Sequence, residues 1–146
     1  MTRMNKFFYI LLTCILLASC ELDVMNNDKM DGNWQLRQMD NLATEEVSDM
    51  TYSYIYWGIQ DDLLQIRDID NGDLRIFFRY SHEGDRLTIQ NPYHAITRNE
   101  LVPIEDAEIL IPLGITDTEE HFLIEKLSNG TMVLKSASYR LYFKKY

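Results

Sequence analysis

The sequence has only two cysteines, and both lie among its first twenty residues, at Cys14 and Cys20. Basic side chains are also scarce, with 14 Lys and Arg against 23 Asp and Glu. No apolar run reaches the roughly 20 residues that a membrane-spanning helix needs. The shortage of cysteine excludes a disulfide framework for the domain. The shortage of basic residues argues against a nucleic-acid partner, which requires basic patches.

The start of the chain has the order of a secretory signal. Arg3 and Lys6 provide a basic beginning, and residues 7–18 form an apolar stretch that only Thr13 interrupts. This stretch is too short for a stable bilayer crossing and is typical of the apolar region of a cleaved signal. The sequence therefore predicts export from the cytoplasm.

The residues that follow, Leu17-Ala18-Ser19-Cys20, resemble the lipobox of bacterial lipoproteins. In that family the peptide is cut just before the cysteine, whose thiol carries a diacylglycerol. The resemblance implies that residues 1–19 are a signal peptide, that Cys14 is discarded, and that a lipid on Cys20 is the membrane contact. It also implies a place in the cell envelope, at the outer membrane, on its periplasmic face or at the cell surface. The alternative is an ordinary cleaved signal that happens to contain two cysteines.

Cleavage at this position sets the chemistry of the remaining chain. All 23 acidic residues stay but only 12 of the 14 basic ones do, so the net charge becomes −11. Lipid on Cys20 would block the last thiol and exclude thiolate catalysis and thiolate metal ligation. Residues 20–31, the cysteine and a polar stretch without apolar periodicity, are expected to form a flexible tether. Residues 32–146 suffice for one domain.

From Gly32 onward, apolar residues recur with a period of two. In "DLRIFFRY", Leu74, Ile76, Phe78 and Tyr80 fall on one side of a strand, whereas Arg75, Phe77 and Arg79 fall on the other. Such alternation predicts antiparallel strands with one solvated face. Turn dipeptides such as Asn71-Gly72 and Asn129-Gly130 separate the runs and favour hairpins between successive strands.

The fold class predicted from these runs is all-β, an up-and-down antiparallel meander of eight or nine strands. A meander of this length tends to close into a barrel, because closure removes both exposed edges. The strand count includes "AEILIPLGI", residues 107–115. Residues 91–107, "NPYHAITRNELVPIEDA", are interrupted by two prolines and are expected to hold a turn of helix or a lid over one barrel mouth.

Two motifs now identify a family resemblance. Gly32-Asn33-Trp34, at the start of the first strand, resembles the G-x-W signature of the lipocalins. The ending "MVLKSASYRLYFKKY" looks like the close of lipocalin-like lipoproteins of the Bacteroidetes. The resemblance implies a lipocalin-like β-barrel over residues 32–146, in which Trp34 closes one end and Arg140 covers Trp34. The T-D-Y motif of classical lipocalins is missing between the middle strands.

Two groups of aromatic residues are candidates for binding. Large residues expected to face inward could line a ligand pocket or fill the barrel, and these are Trp57, Phe78, Tyr80, Phe122 and Phe143. Tyr52, Tyr54 and Tyr56 are predicted to share one strand face, where they would form a partner-binding surface or lie beneath a neighbouring loop.

No catalytic site, cofactor or metal site is expected from the sequence. The three histidines, His82, His94 and His121, lack the spacing of a metal motif, and no nucleophile elbow or phosphate loop is present. The sequence therefore predicts a non-catalytic binding module for a small apolar or amphipathic ligand. The alternative is a protein-interaction or inhibitor lipoprotein, with an envelope protein as partner, that uses the tyrosine face or the loops at the open end.

Overall fold

The computed structural model of the protein describes residues 29–146, which form an all-β fold. Ten strands follow one another in this part of the chain: β1 (Gly32–Asn41), β2 (Val47–Asp49), β3 (Ile55–Gln60), β4 (Leu63–Asp68), β5 (Leu74–Glu83), β6 (Arg86–Thr97), β7 (Glu100–Pro103), β8 (Glu120–Leu127), β9 (Thr131–Lys135) and β10 (Tyr139–Lys145). A 3-10 helix, Ala107–Leu113, connects β7 to β8.

Eight of these strands close into an antiparallel barrel. Their order is β10-β9-β8-β6-β5-β4-β3-β1, and β1 pairs back with β10, so that Trp34 lies opposite Lys145. The short strand β2 pairs with β1 beyond the end of β3, and β7 pairs with β6 beyond the end of β8. The predicted meander that closes into a lipocalin-like barrel is confirmed. The predicted signal peptide and lipid site, residues 1–20, lie outside the described residues.

The period-two pattern places one face of every barrel strand in the core. Trp34, Trp57, Ile66 and Ile76 pair in register across β1, β3, β4 and β5, and all four are buried. Full burial of an aliphatic or aromatic side chain of this size stabilises a fold by roughly 1.5–3 kcal/mol relative to exposure. The core inside the barrel is therefore the main source of stability, since the described residues include no disulfide.

Tight turns connect the strands where the sequence predicts them. Gly84 and Asp85 join β5 to β6, and Gly84 has φ 62°, a left-handed conformation that glycine adopts without strain. Gly72 has φ 65° in the connection between β4 and β5. These turns confirm that most successive strands pair as neighbours.

The prediction of a strand over "AEILIPLGI" is wrong. These residues form the 3-10 helix, because the Asp106 side chain accepts a hydrogen bond of 2.9 Å from Glu108 N–H at the helix start. Gly114 has φ 80° and its N–H donates to Ile111 O, which ends the helix. Leu110 and Leu113 face the core. A continuous apolar run has no period of its own, so its sequence pattern does not separate a helix from a buried strand.

The segment expected to hold a helical turn or lid forms strands instead. Most of it is the second half of β6 together with β7, paired as a hairpin. Asn91 has φ 52°, and the β5–β6 register shifts at this point, with Phe77 opposite Tyr93 but Arg79 opposite Gln90. This bulge accommodates Pro92, which has no N–H to donate to the ladder.

The two ends of the barrel are covered by different elements. Met30 and Trp34, both buried, cover the end at which β1 begins. The 3-10 helix covers the opposite end, where a Cβ on Gly114 would lie 2.6 Å from Leu141 Cδ2 and 2.9 Å from Met39 Sδ. The described residues thus close both mouths of the barrel.

Candidate functional site

The glycine and tryptophan of the G-x-W motif form one packed unit. The Trp34 indole N–H donates a hydrogen bond of 2.8 Å to Met30 O, and the ring is fully buried. Gly32 has φ 129°, and a Cβ at this position would lie 2.7 Å from Lys145 Cε. The backbone conformation therefore favours glycine here, whereas the contacted end of the flexible Lys145 side chain can shift away from a Cβ.

Lys145, and not Arg140, covers Trp34. The Lys145 Nζ lies 5.1 Å from the centroid of the indole ring, a distance suited to a cation–π interaction. Arg140 pairs with Asp40, far along β1 from Trp34, and its guanidinium bonds Glu125. This ion pair raises the pKa of Arg140 and lowers the pKa of Glu125. The predicted role of Arg140 is thus wrong, because strand register places it near the other end of the barrel.

The five predicted pocket aromatics all lie in the core. Trp57 packs between Phe143 and Phe122, with ring centroids 4.8 Å and 6.0 Å away. Phe78 and Tyr80 are also buried. Of the five, only Phe78 lines either of the two cavities described below. A ligand pocket formed by these residues stays a prediction, and in this structure their side chains pack on one another.

Two polar atoms in the core lack a hydrogen-bond partner among the described residues. They are the Trp57 indole N–H and the Tyr80 hydroxyl. Burial, together with the nearby carboxylates of Asp31, Asp61 and Asp62, raises the pKa of Tyr80 to about 12. The Tyr80 phenol therefore stays neutral across the physiological pH range.

The predicted ladder of three tyrosines on one strand is wrong. Strand β3 begins only at Ile55, and Tyr54 has φ 50°, which takes it out of the extended conformation. Tyr52 is 78% exposed in the preceding turn, and Tyr54 is 43% exposed. Tyr56 alone is on the strand, where its ring stacks edge-on against Tyr146 at 5.7 Å. The three side chains therefore do not form a single strand face.

A cavity of about 1140 Å³ lies on the outside of the barrel, which we call the outer groove. It is half open to solvent and extends across the outward face of β4, β5 and β6 to the β6–β7 hairpin. Its apolar lining comprises Leu63, Phe77, Phe78, Tyr93, Ala95, Ile96 and Leu101. Phe77 and Tyr93 are paired in register and form the middle of its floor. The volume is slightly above the roughly 300–1,000 Å³ that is typical of small-molecule sites.

Three arginines also line the outer groove. Arg75 bonds Asp73 at 2.8 Å, and Asp73 also bonds Arg67, so the two guanidinium groups lower the pKa of Asp73 to about 2. Arg79 bonds Asp62 at 2.9 Å in a largely exposed ion pair. Arg98, near the tip of the hairpin, forms no ion pair within residues 29–146.

Sequence reasoning did not find the outer groove, although one signal for it is present. The alternation in β5 places Arg75, Phe77 and Arg79 on the solvated face, and a phenylalanine between two arginines is unusual there. The rest of the groove depends on the bulge at Asn91 and on the β6–β7 hairpin. No periodicity predicts either of them.

A smaller cavity of about 250 Å³ lies on the other side of β6. Pro92, Pro103, Ile104 and Thr118 contribute to its lining. In residues 29–146 no cluster of three or more His, Cys, Asp or Glu could hold a metal ion. The same residues contain no helix that is long and apolar enough to cross a membrane.

Comparison with known proteins gives the fold and the family. A crystal structure of a lipocalin-like protein from Bacteroides uniformis matches with a TM-score of 0.62 and 21% identity, over 81% of this chain and 99% of that one. A crystal structure of an uncharacterized protein from Bacteroides eggerthii matches with a TM-score of 0.56 and 19% identity, over 80% of this chain and 98% of that one. No curated protein matches the sequence significantly. The family model described as a lipocalin-like domain matches residues 15–146, and the chain therefore belongs to the family of lipocalin-like domains.

Proposed function

We propose that this protein is a lipid-anchored, non-catalytic binding protein of the cell envelope. The lipobox pattern that ends at Cys20 supports the anchor, and the fold class supports a binding role, because lipocalin-like proteins usually bind ligands rather than catalyse reactions. The acidic, polar tether would hold the barrel a short distance from an outer membrane, on the periplasmic face or at the cell surface.

The bound molecule in this proposal is a small amphipathic compound, and its site is the outer groove. One observation supports this proposal above all. The interior of the barrel is filled with packed side chains, whereas the outside has a large groove that is open to solvent. Leu63, Phe77, Tyr93 and Leu101 offer apolar surface there, and binding would need no rearrangement of the core. A cavity inside the barrel would require the 3-10 helix or Trp34 to move first.

A neutral fluorescent probe tests the site. N-phenyl-1-naphthylamine titrated into the chain from residue 21 onward, which contains the whole described barrel, should give saturable fluorescence enhancement. Tyr93→Glu removes an apolar ring from the groove floor and leaves a hydrated carboxylate there, so it should weaken binding of the neutral probe at least about tenfold, since that carboxylate would have to lose hydration. Leu123→Glu is the matched control, because Leu123 is 42% exposed on β8 and does not line the groove. Full binding by Tyr93→Glu would contradict the outer groove as the site.

Lipidation is tested separately in the full chain. Cys20→Ser should abolish incorporation of radioactive palmitate, whereas Cys14→Ser should leave incorporation unchanged. Equal labelling of the Cys20→Ser variant would contradict the anchor, without bearing on the groove.

A second candidate function is binding of an envelope protein. The exposure of Tyr52 and Tyr54 favours it, because tyrosines of this kind are enriched at protein interfaces. A Tyr52→Ala/Tyr54→Ala variant that loses a co-purified envelope protein, while retaining probe binding, would support this function. Retention of every such partner would argue against it.

A further inference from the structure

The outer groove is electropositive on a protein that is otherwise acidic. Residues 29–146 contain 20 acidic and 12 basic side chains, yet the groove lining contains three arginines and one aspartate. Asp73 is shared between Arg75 and Arg67, so a single carboxylate bonds two guanidinium groups. A concave surface with this charge attracts anions and repels the cations that the rest of the surface would favour.

The unpaired arginine lies where a ligand could reach it. Arg98 follows Thr97 at the end of β6 and is exposed, and no carboxylate in residues 29–146 forms an ion pair with it. A guanidinium presents a planar set of N–H donors that binds a carboxylate or a phosphate through two hydrogen bonds. An anion could bind Arg98 without displacing an existing partner, whereas an anion at Arg79 would compete with Asp62.

Apolar surface lies directly beside this charge. Ile96 and Leu101 on the β6–β7 hairpin are each 55% exposed, and Tyr93 is 39% exposed. All three line the groove together with Phe77. Arg79 lies four positions after Arg75 along β5, about 13 Å at 3.3 Å per residue, and Phe77 lies midway. The groove thus combines an elongated apolar floor with a cationic end at Arg75 and Arg98.

We infer that the outer groove binds an anionic amphipath, whose head group pairs with Arg98 while its apolar body lies over Phe77 and Tyr93. The inference rests on the proposed function and adds the chemical class of the ligand. Charge complementarity selects this class, because a neutral amphipath would use the apolar floor and leave the unpaired guanidinium unused. A carboxylate and a phosphate monoester share the required chemistry.

A pair of probes that differ only in charge tests the inference. The two probes are 11-(dansylamino)undecanoic acid and its primary amide, titrated at low ionic strength against the chain from residue 21 onward. The acid should bind about tenfold more tightly than the amide. Arg98→Gln should remove this preference by weakening the acid about tenfold and leaving the amide unchanged. Arg86→Gln is the matched control, because Arg86 is an exposed arginine at the start of β6 and does not line the groove.

A phosphate-bearing probe and a peptide complete the design. Dodecyl phosphate should displace the dansylated acid from the parent chain, and inorganic phosphate alone should not, because it lacks the apolar body. Fluorescein-labelled hexaglutamate should not bind measurably. Binding of the peptide that depends on Arg98, with no binding of the dansylated acid, would overturn the inference in favour of an acidic protein partner.

The remaining outcomes separate this inference from the proposed function. If acid and amide bind equally and Arg98→Gln changes neither, the ligand class is wrong but the groove still binds amphipaths. If neither probe binds, the proposed function fails and this inference fails with it. Thermal melting of each variant confirms folding. The conservative variant Arg98→Lys, which keeps the positive charge, should retain part of the preference for the acid.

Discussion

The two faces of strand β5 have different surroundings. Ile76 and Phe78 face inward and are buried in the core. Arg75, Phe77 and Arg79 face outward and line the outer groove. One strand with alternating side chains therefore contributes stability on one face and a candidate binding surface on the other. A barrel with a filled interior can therefore still have a concave site on its outside. Here the β6–β7 hairpin lies beside the outward face of β5 and forms one wall of that site.

The largest expected change in stability comes from a substitution in the buried core. Trp34→Ala should lower the free energy of unfolding by about 3–5 kcal/mol, because it removes a fully buried indole that covers one barrel end. Chemical denaturation of the chain from residue 21 onward measures it. Tyr52→Ala, at a position 78% exposed, should change the free energy of unfolding by less than about 0.5 kcal/mol. Equal effects of the two changes would contradict the burial of Trp34.

A second pair of variants tests the packing at the other barrel end. Gly114→Ala and Gly72→Ala both place a side chain at positive φ, at 80° and 65°. Only at Gly114 would the new Cβ meet buried side chains, since nothing lies within 4 Å of the corresponding position at Gly72. Overpacking should make Gly114→Ala less stable than Gly72→Ala by about 1–3 kcal/mol. Denaturation midpoints that coincide would show that the 3-10 helix packs loosely on Leu141.

Tyr80→Phe should stabilise the core of the barrel. It removes a buried hydroxyl that has no partner among the described residues, so the free energy of unfolding should rise by about 1 kcal/mol. The pKa of Tyr80 is raised from 10.0 to about 12, chiefly by burial, so ionisation of this phenol costs no stability below pH 10 and lowers the free energy of unfolding as pH rises from 10 towards 12. The variant should therefore lose less stability than its parent over that range in thermal melts. Destabilisation at neutral pH would mean that the hydroxyl is hydrogen-bonded to water.

The smallest expected change in stability comes from the exposed ion pairs of Asp73 on the outer face. Arg67 and Arg75 lower the pKa of Asp73 from 3.8 to about 2, so its contribution to stability is present above pH 3.8 and is lost as pH falls towards 2. Asp73→Asn should melt slightly below its parent at pH 6, and the two melting temperatures should converge near pH 2. Asp117→Asn, at an exposed aspartate without an ion pair in residues 29–146, should follow the parent at every pH. A constant difference between Asp73→Asn and its parent would contradict the pairing.

Alternation in the sequence predicted the barrel because each strand has one buried face. In β5, Leu74, Ile76, Phe78 and Tyr80 fall on the side that the structure buries or partly buries. The resemblance of Gly32 and Trp34 to the lipocalin motif implied one barrel end, and the φ of 129° at Gly32 favours glycine there. The buried strand faces and this glycine depend on the local backbone conformation and on neighbouring residues in the sequence. Such features can therefore be predicted from the order of residues.

Features that depend on strand register, on a local change of backbone conformation or on several elements at once escaped the sequence. The residue over Trp34 is Lys145 rather than Arg140, a choice set by the register of β10 against β1. The aromatic run before Ile55 has the pattern of a continued β3, although Tyr54 leaves the extended conformation. The outer groove requires β5, the bulge in β6 and the β6–β7 hairpin at once. Residue spacing in one segment contains no information on such a combination.

The pairing of β1 with β10 also affects when the protein can fold. These are the first and last strands of the described chain, and Trp34 meets Lys145 across them. Contacts between residues so distant in sequence carry a large loop-closure entropy and slow the folding of a chain. During synthesis, β1 keeps an unpaired edge until the last strand has left the ribosome. A polypeptide in that open state can still be threaded through a membrane pore, which a closed barrel cannot.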